Sequence, residues 1–167
     1  MNPKQASLFC ISMLMFSISF FVSCSSAPPE PIDAKGDWLD YSDQRAGYRV
    51  KYPAKYRLVP RGNGEVAFRG PDNKIAYQIN IATFEEAKKR GLWVVTEPIG
   101  TTYVSGGFTS HRYVYDHYDG LSKEHRVAFV LDRKGKMLAL EFHIADKNTE
   151  GSLDAGQEEV LKSFTVL

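Results

Sequence analysis

The chain has 167 residues, with 21 basic against 20 acidic side chains and 43% hydrophobic residues. That balance lacks the one-sided excess of Lys and Arg that phosphate neutralisation needs, so it argues against nucleic acid as a partner. The length suits a single domain that buries most of its apolar surface.

At the N-terminus, Lys4 precedes an apolar run from Ala6 to Val22 that ends in Phe21-Val22-Ser23-Cys24. A basic residue, an apolar stretch and a small residue just before a cysteine resemble a bacterial lipoprotein signal, cleaved so that the mature chain begins at Cys24. Acyl chains on the thiol and on the new amino group then act as the membrane anchor, each buried methylene contributing about 0.8 kcal/mol. An uncleaved transmembrane helix is the competing reading. Against it stand the four Ser and one Cys within the run and the Pro-rich stretch that follows, which cannot continue a helix. Ser25 after the lipidated cysteine resembles the sorting signal for the outer membrane, with the domain in the periplasm. Cys10 leaves with the signal and Cys24 takes the lipid, so the mature domain has no thiol for a disulfide, a metal or a nucleophile. Only Lys4 of the basic residues is lost, and the mature chain is charge-neutral.

Residues 24–36 are small, Pro-rich and free of aromatics, and read as a lipidated tether extending roughly 3 Å per residue. The division expected is residues 1–23 signal peptide, 24–36 tether and 37–167 domain.

The domain is rich in strand signals. Tyr48, Val50 and Tyr52 alternate with Arg49 and Lys51 before Pro53, and Val66 and Phe68 alternate with Ala67 and Arg69 after the turn dipeptide Asn63-Gly64. Ala76 to Ala82 alternates in the same way. Thr83-Phe84-Glu85-Glu86 has the form of a capping box and Gly91 suits a helix C-terminus, which predicts a short helix over Phe84 to Arg90. Lys88-Lys89-Arg90, the one dense basic run, then favours the negative end of the helix dipole. Two long strands, Phe108 to His117 and Lys123 to Asp132, flank a two-residue turn at Asp119-Gly120, and Met137 to Ile144 follows a three-residue loop, Arg133-Lys134-Gly135. The middle strand has apolar residues on both faces: Val127, Phe129 and Leu131 on one, Ala128 and Val130 on the other. Both faces of the sheet must therefore be covered. Leu153, Val160 and Leu161 fall at helical spacing, and Leu138, Leu140, Phe142 and Ile144 are the floor such a helix would cover.

The order of these elements, with the segment Gly47-Tyr-Arg-Val-Lys-Tyr-Pro53, the Gly106-Gly107 turn and the terminal Leu161-Lys162-Ser163-Phe164, resembles the PsbP-like domain, found also in bacterial envelope lipoproteins of the DcrB and LpqN kind. The resemblance covers nearly all of Trp38 to Leu167. It implies an α+β fold, an antiparallel β-sheet sandwiched between helices (a PsbP-like α/β/α sandwich), and a family whose members mostly bind or help assemble other proteins. Fold alone does not fix function.

Catalytic signatures are missing from the sequence: there is no phosphate-binding Gly loop, no His-Glu-x-x-His, no Cys-x-x-Cys and no Gly-x-Ser-x-Gly. With the turns as read above, pairing arithmetic puts Val114, His125 and His143 in one row and Arg112, Val127 and Glu141 in the next, on one face. His125, His143 and Glu141 could then ligate one metal in the two-His, one-carboxylate manner. The plainer reading is isolated strand histidines, with Arg112 as a diagonal charge partner for Glu141. On the opposite face His111, Tyr113, Tyr115 and His117 recur at period two. They could stack a sugar or peptide, though in a helix-capped sheet such a strip is more often core. The expectation is a membrane-anchored, non-enzymatic binding or assembly module without a cofactor, with an envelope protein as partner. A small-ligand (sugar, peptide or lipid) binding lipoprotein is the first alternative and a metal-dependent enzyme the second.

Overall fold

The computed structural model describes residues 27–104, 108–120, 122–145 and 151–167. The expected signal peptide, Cys24 and the expected Gly106-Gly107 turn lie outside these. In chain order the elements are β1 Trp38–Asp43, β2 Tyr48–Pro53, β3 Arg57–Gly62, β4 Glu65–Arg69, β5 Ile75–Ala82, α1 Phe84–Lys89, a 3-10 turn Trp93–Val95, β6 Gly100–Val104, β7 Phe108–Asp119, β8 Ser122–Arg133, β9 Lys136–Ile144, α2 Ala155–Ser163 and β10 Thr165–Val166. The main sheet has seven strands in the order β3-β4-β5-β9-β8-β7-β6, and β1-β2-β10 form a second, three-stranded sheet. All pairings are antiparallel.

The α+β sandwich is as the sequence implies, with one refinement: β1 and β2 leave the main sheet and join the cover. Val127, Phe129 and Leu131 of β8 and Leu138, Leu140, Phe142 and Ile144 of β9 pack with Val160 of α2 and with Tyr48 and Val50 of β2 in one large core. Phe68 ties the two sheets together, stacked on Tyr77 at 4.4 Å and tilted against Tyr52 at 5.4 Å between ring centroids. On the other face, Ala128 and Val130 meet Tyr115, Ala139 and Trp93 in a smaller core closed by α1 and the 3-10 turn. The small residues on this face let the turn's indole sit directly on the sheet.

Local signals act where they are strong. Thr83 and Glu86 form the reciprocal capping box, Thr83 Oγ1 accepting from the Glu86 amide at 3.3 Å and Glu86 Oε2 from the Thr83 amide at 2.8 Å. Gly91 follows α1 with φ +63°. Asn63 and Gly64, both at positive φ, connect β3 and β4 as a two-residue turn. The terminal helix starts later than Leu153, because Asp154 caps it by accepting from the Gln157 amide at 2.7 Å, and it runs on to Ser163.

Three expectations are corrected. The β7–β8 hairpin closes on Asp119↔Ser122, so Val114 faces Val127 and Asp116 faces His125, a slide of two residues that keeps every side chain on its face. The β8–β9 connection is a two-residue turn, Lys134-Gly135, with φ of +53° and +80°, closing on Arg133↔Lys136. This one-residue slip matters, because it moves β9's alternate residues to the opposite faces from those expected. Finally, the Pro-rich segment does not hang free through residue 36. Ile32 is 5% exposed, its amide donates to Asp154 Oδ2 at 3.4 Å, and it lies so close to Gly156 that a Cβ there would stand 2.2 Å from the Ile32 carbonyl oxygen. The single large apolar side chain of that run finds the end of the α2 core, and its burial holds the chain against the domain.

Candidate binding site

The expected metal row does not form. His125 pairs with Ile144, whereas His143 faces Arg126 and Glu141 faces Ala128, so Glu141 and His143 lie on the other side of the sheet from His125. His125 Nδ1 is 2.7 Å from Asp116 Oδ1, and Asp116 Oδ2 also accepts from Lys123 at 3.1 Å. Arg112 faces Phe129 and donates to the Gly151 carbonyl at 2.8 Å, so it does not reach Glu141 as a charge partner. His125 and His143 share only the border of a 260 Å³ cavity at one end of the sheet, beneath Pro28 and Pro29; Glu141 is not part of it.

Glu141 instead anchors a buried polar network on the α1 side. Its carboxylate, fully buried, accepts from Tyr115 Oη at 2.6 Å, from Gln78 Nε2 at 3.2 Å, from Asn80 Nδ2 and from Arg126 Nη1 at 3.4 Å. Arg126 also donates to Glu124 at 2.6 Å. Burial works against the Arg126 charge, yet Glu141, Tyr115 and Glu124 together raise its pKa, so the guanidinium stays charged. Burial, reinforced by Glu141, holds the Tyr115 phenol protonated and therefore a donor. Burial first, then the charges of Arg126, His117 and Arg61, lowers the His143 pKa well below the ordinary imidazole value. Its Nδ1 lies 3.7 Å from Glu124, too far for a hydrogen bond, and its Nε2 has no partner. Tyr115 is thus a structural member of this network; Tyr113 is half-buried against the Trp93 cluster, and His111 is exposed. Of the period-two strip only Tyr115 is fully buried, with Tyr113 and His117 half-buried on either side of it.

Sequence reasoning passed over Gln78, Asn80, Glu124 and Arg126. Part of the signal was available: in β5 and β9 polar residues recur at period two between apolar ones, the mark of a strand whose second face carries a polar layer, whereas in β8 Glu124 and Arg126 sit in a polar run that hides it.

Arg90 connects this layer to the surface. It donates to Asn80 Oδ1 at 3.2 Å and pairs with Glu65 at 2.7 Å, while Glu65 Oε1 also accepts from the Ile81 amide. Glu65 and Arg90 form one wall of an open groove of about 950 Å³ at the end of the sheet opposite the small cavity. Ile81, Leu138 and Ala46 contribute its apolar surface. The other wall is the β1–β2 turn. There Asp43 Oδ1 accepts from the Arg45 and Ala46 amides at 2.9 Å, and Arg133 clamps the turn through the Ala46 and Gly47 carbonyls at 2.8 and 2.6 Å and the Leu167 carbonyl at 2.6 Å. Gly47, with φ +74°, is required: a Cβ would stand 1.6 Å from Arg133 Nη1. With Arg133 and Arg90 committed to structure, Arg45, Lys134 and Lys136 are the exposed cations on the rim.

No protein-family model and no curated protein sequence matches this chain. Among solved structures it is similar to cyanobacterial PsbP (CyanoP) from Synechocystis sp. PCC 6803, at 18% identity and a TM-score of 0.49, over 83% of this chain and 98% of that one. It is also similar to a crystal structure from Bacteroides thetaiotaomicron VPI-5482, at 13% identity and a TM-score of 0.50, over 77% of this chain but only 48% of that protein's length. The second likeness bears on the fold alone, which is that of an antiparallel α+β domain.

Proposed function

We propose that this protein is a lipid-anchored bacterial envelope protein, attached through Cys24, whose single domain is a non-enzymatic binding or assembly module facing the periplasm. The observation that carries the binding role is the open groove. Its apolar floor is bordered by Arg45, Lys134 and Lys136, cations that the fold does not consume, between walls held by Arg133 and by the Glu65–Arg90 pair. A small-ligand pocket is typically enclosed and mostly apolar with a few convergent polar groups. This groove is open and charged along its rim, which suits an extended acidic segment of another protein. The most buried charged cluster, around Glu141, has its groups engaged with one another, in keeping with a structural role.

The test uses the membrane-tethered protein with a photo-crosslinking residue at Lys134. An envelope protein should be captured there, and the capture should be lost when Arg45 and Lys136 are both changed to Glu while the fold, read by circular dichroism, is retained. Capture that is indifferent to those charge reversals, or no capture at all, refutes the groove as the binding surface. The small-ligand reading has one observation in its favour, the 260 Å³ cavity under Pro28 and Pro29; a native mass spectrum carrying a bound small molecule would favour it.

A further inference from the structure

The chain leaves the domain at the cavity end of the sheet, and this decides which edge can meet the bilayer. The segment that follows Cys24 is held to the domain almost from its start. The Pro28 carbonyl accepts from Lys74 Nζ at 3.2 Å, the Glu30 amide donates to Asp72 Oδ2 at 3.3 Å, and Ile32 is buried in the core. Only three peptide units separate Cys24 from Ala27, which at full extension reach about 10 Å. The headgroup layer alone takes up roughly 6 Å of that reach. Resting on the proposed acylation of Cys24, we infer that the edge formed by the β4–β5 turn and the β7–β8 hairpin lies against the phospholipid headgroups, with the charged groove held at the far end of the domain.

Two further features of this edge fit a lipid surface. Tyr118, at 64%, is the most exposed large hydrophobic side chain among the described residues, and it projects from the hairpin beside Lys123. Aromatic rings with a polar tip favour the headgroup level of a membrane. Arg69 and Lys74, each also donating to a backbone carbonyl, border the cavity next to Pro28 and Pro29 together with Asp119 and Glu124, so this edge carries the mixed charge that can meet the phosphate and ammonium groups of headgroups. The groove is far away. Lys123 and Arg133 stand at opposite ends of β8, about 33 Å apart at strand rise, so an upright domain presents Arg45, Lys134 and Lys136 to the aqueous space where a partner protein would be.

The mature domain has no cysteine of its own, so single labels are simple to introduce. Tyr118→Cys, Asn73→Cys and Lys134→Cys variants of the full chain, purified in the acylated form, are labelled with a fluorophore and reconstituted into phosphatidylethanolamine–phosphatidylglycerol vesicles carrying a headgroup quencher. Quenching should be several-fold stronger at positions 118 and 73 than at 134, and a long Gly-Ser insertion between Ala27 and Pro28 should erase the difference. Equal quenching at all three positions, or stronger quenching at 134, in protein whose acylation is verified by mass spectrometry, overturns the orientation and leaves the anchor intact. Protein that carries no acyl group at Cys24 removes the anchor and the orientation together.

Discussion

The two faces of the β8–β9 ribbon are built from the same backbone by different physics. On the α2 side, Val127, Phe129, Leu140 and Phe142 lie in a continuous apolar core, where stability follows the area withdrawn from water and each side chain's loss is felt locally. On the α1 side, Arg126, Glu141 and His143 occupy alternate positions of the same strands and are just as buried, but Arg126 and Glu141 depend on named hydrogen-bond partners while the His143 imidazole has none within hydrogen-bond distance. Apolar packing tolerates a changed neighbour better than a hydrogen-bonded ion pair tolerates a missing one, because an orphaned buried charge carries its full desolvation cost.

The largest expected effect tests that difference directly. Glu141→Ala leaves Arg126 charged and three further donors without their acceptor, and should destabilise by about 3–5 kcal/mol in chemical denaturation. The double variant Glu141→Leu with Arg126→Met should cost clearly less than Glu141→Ala alone, since the buried carboxylate and the buried guanidinium leave together and Glu124, which loses its partner, is partly open to solvent; equal costs would show that the network behaves like ordinary packing. On the opposite face, Leu140→Ala or Phe129→Ala should each cost about 2–5 kcal/mol, and no second substitution at a charged position should rescue them.

Gly47→Ala should cost about 1–3 kcal/mol, from the left-handed backbone at φ +74° and the displaced Arg133 guanidinium. Adding Arg133→Ala should add less than its own single effect, because the Arg133 clamp is already lost.

A smaller effect is pH-dependent. An unfolded His143 takes its proton near the ordinary imidazole value of 6.5, whereas the folded imidazole, buried and facing Arg126, His117 and Arg61, resists it until well below. In that interval the unfolded state binds more protons, so stability falls as pH drops below neutrality and the loss levels off below the folded pKa. His143→Gln should flatten the dependence of the denaturation midpoint between pH 7 and about 5; an unchanged slope would mean that His143 accepts a proton in the folded state. Last and smallest, Lys134→Ala in the exposed turn should shift stability by no more than about 0.5 kcal/mol while leaving the β8–β9 register intact.

Much of the fold was legible in the sequence because its signals are local. The Thr83 capping box, the Asn63-Gly64 turn and the two-sided apolar pattern of β8 each specify geometry within a few residues. The candidate metal site failed at a single point, the length of the Lys134-Gly135 connection. The apolar pattern carried the information needed to read it correctly. Leu138, Leu140, Phe142 and Ile144 must share a face with Val127, Phe129 and Leu131 to reach α2, and that takes a connection with an even number of residues, here two, rather than three. The groove was not legible, since its walls come from turns at residues 43–47, 63–65 and 133–136 that meet only in three dimensions.

The sequence by itself located β2, β4, β5, β7, β8, β9, both helices and the two apolar faces of the central strand and, through the run ending at Cys24, raised the expectation of a lipid anchor. These depend on periodicity, capping and short motifs, which act over a few residues. Strands β3, β6 and β10 emerged only with the structure. Tertiary structure alone decided that β1 and β2 join the cover rather than the main sheet, that Ile32 seats the Pro-rich segment at one end of the domain, and that Arg133 clamps a turn 86 residues away to build the groove wall at the other. Such contacts form only when the faces close, because their free energy comes from surfaces that remain separate until the chain has folded.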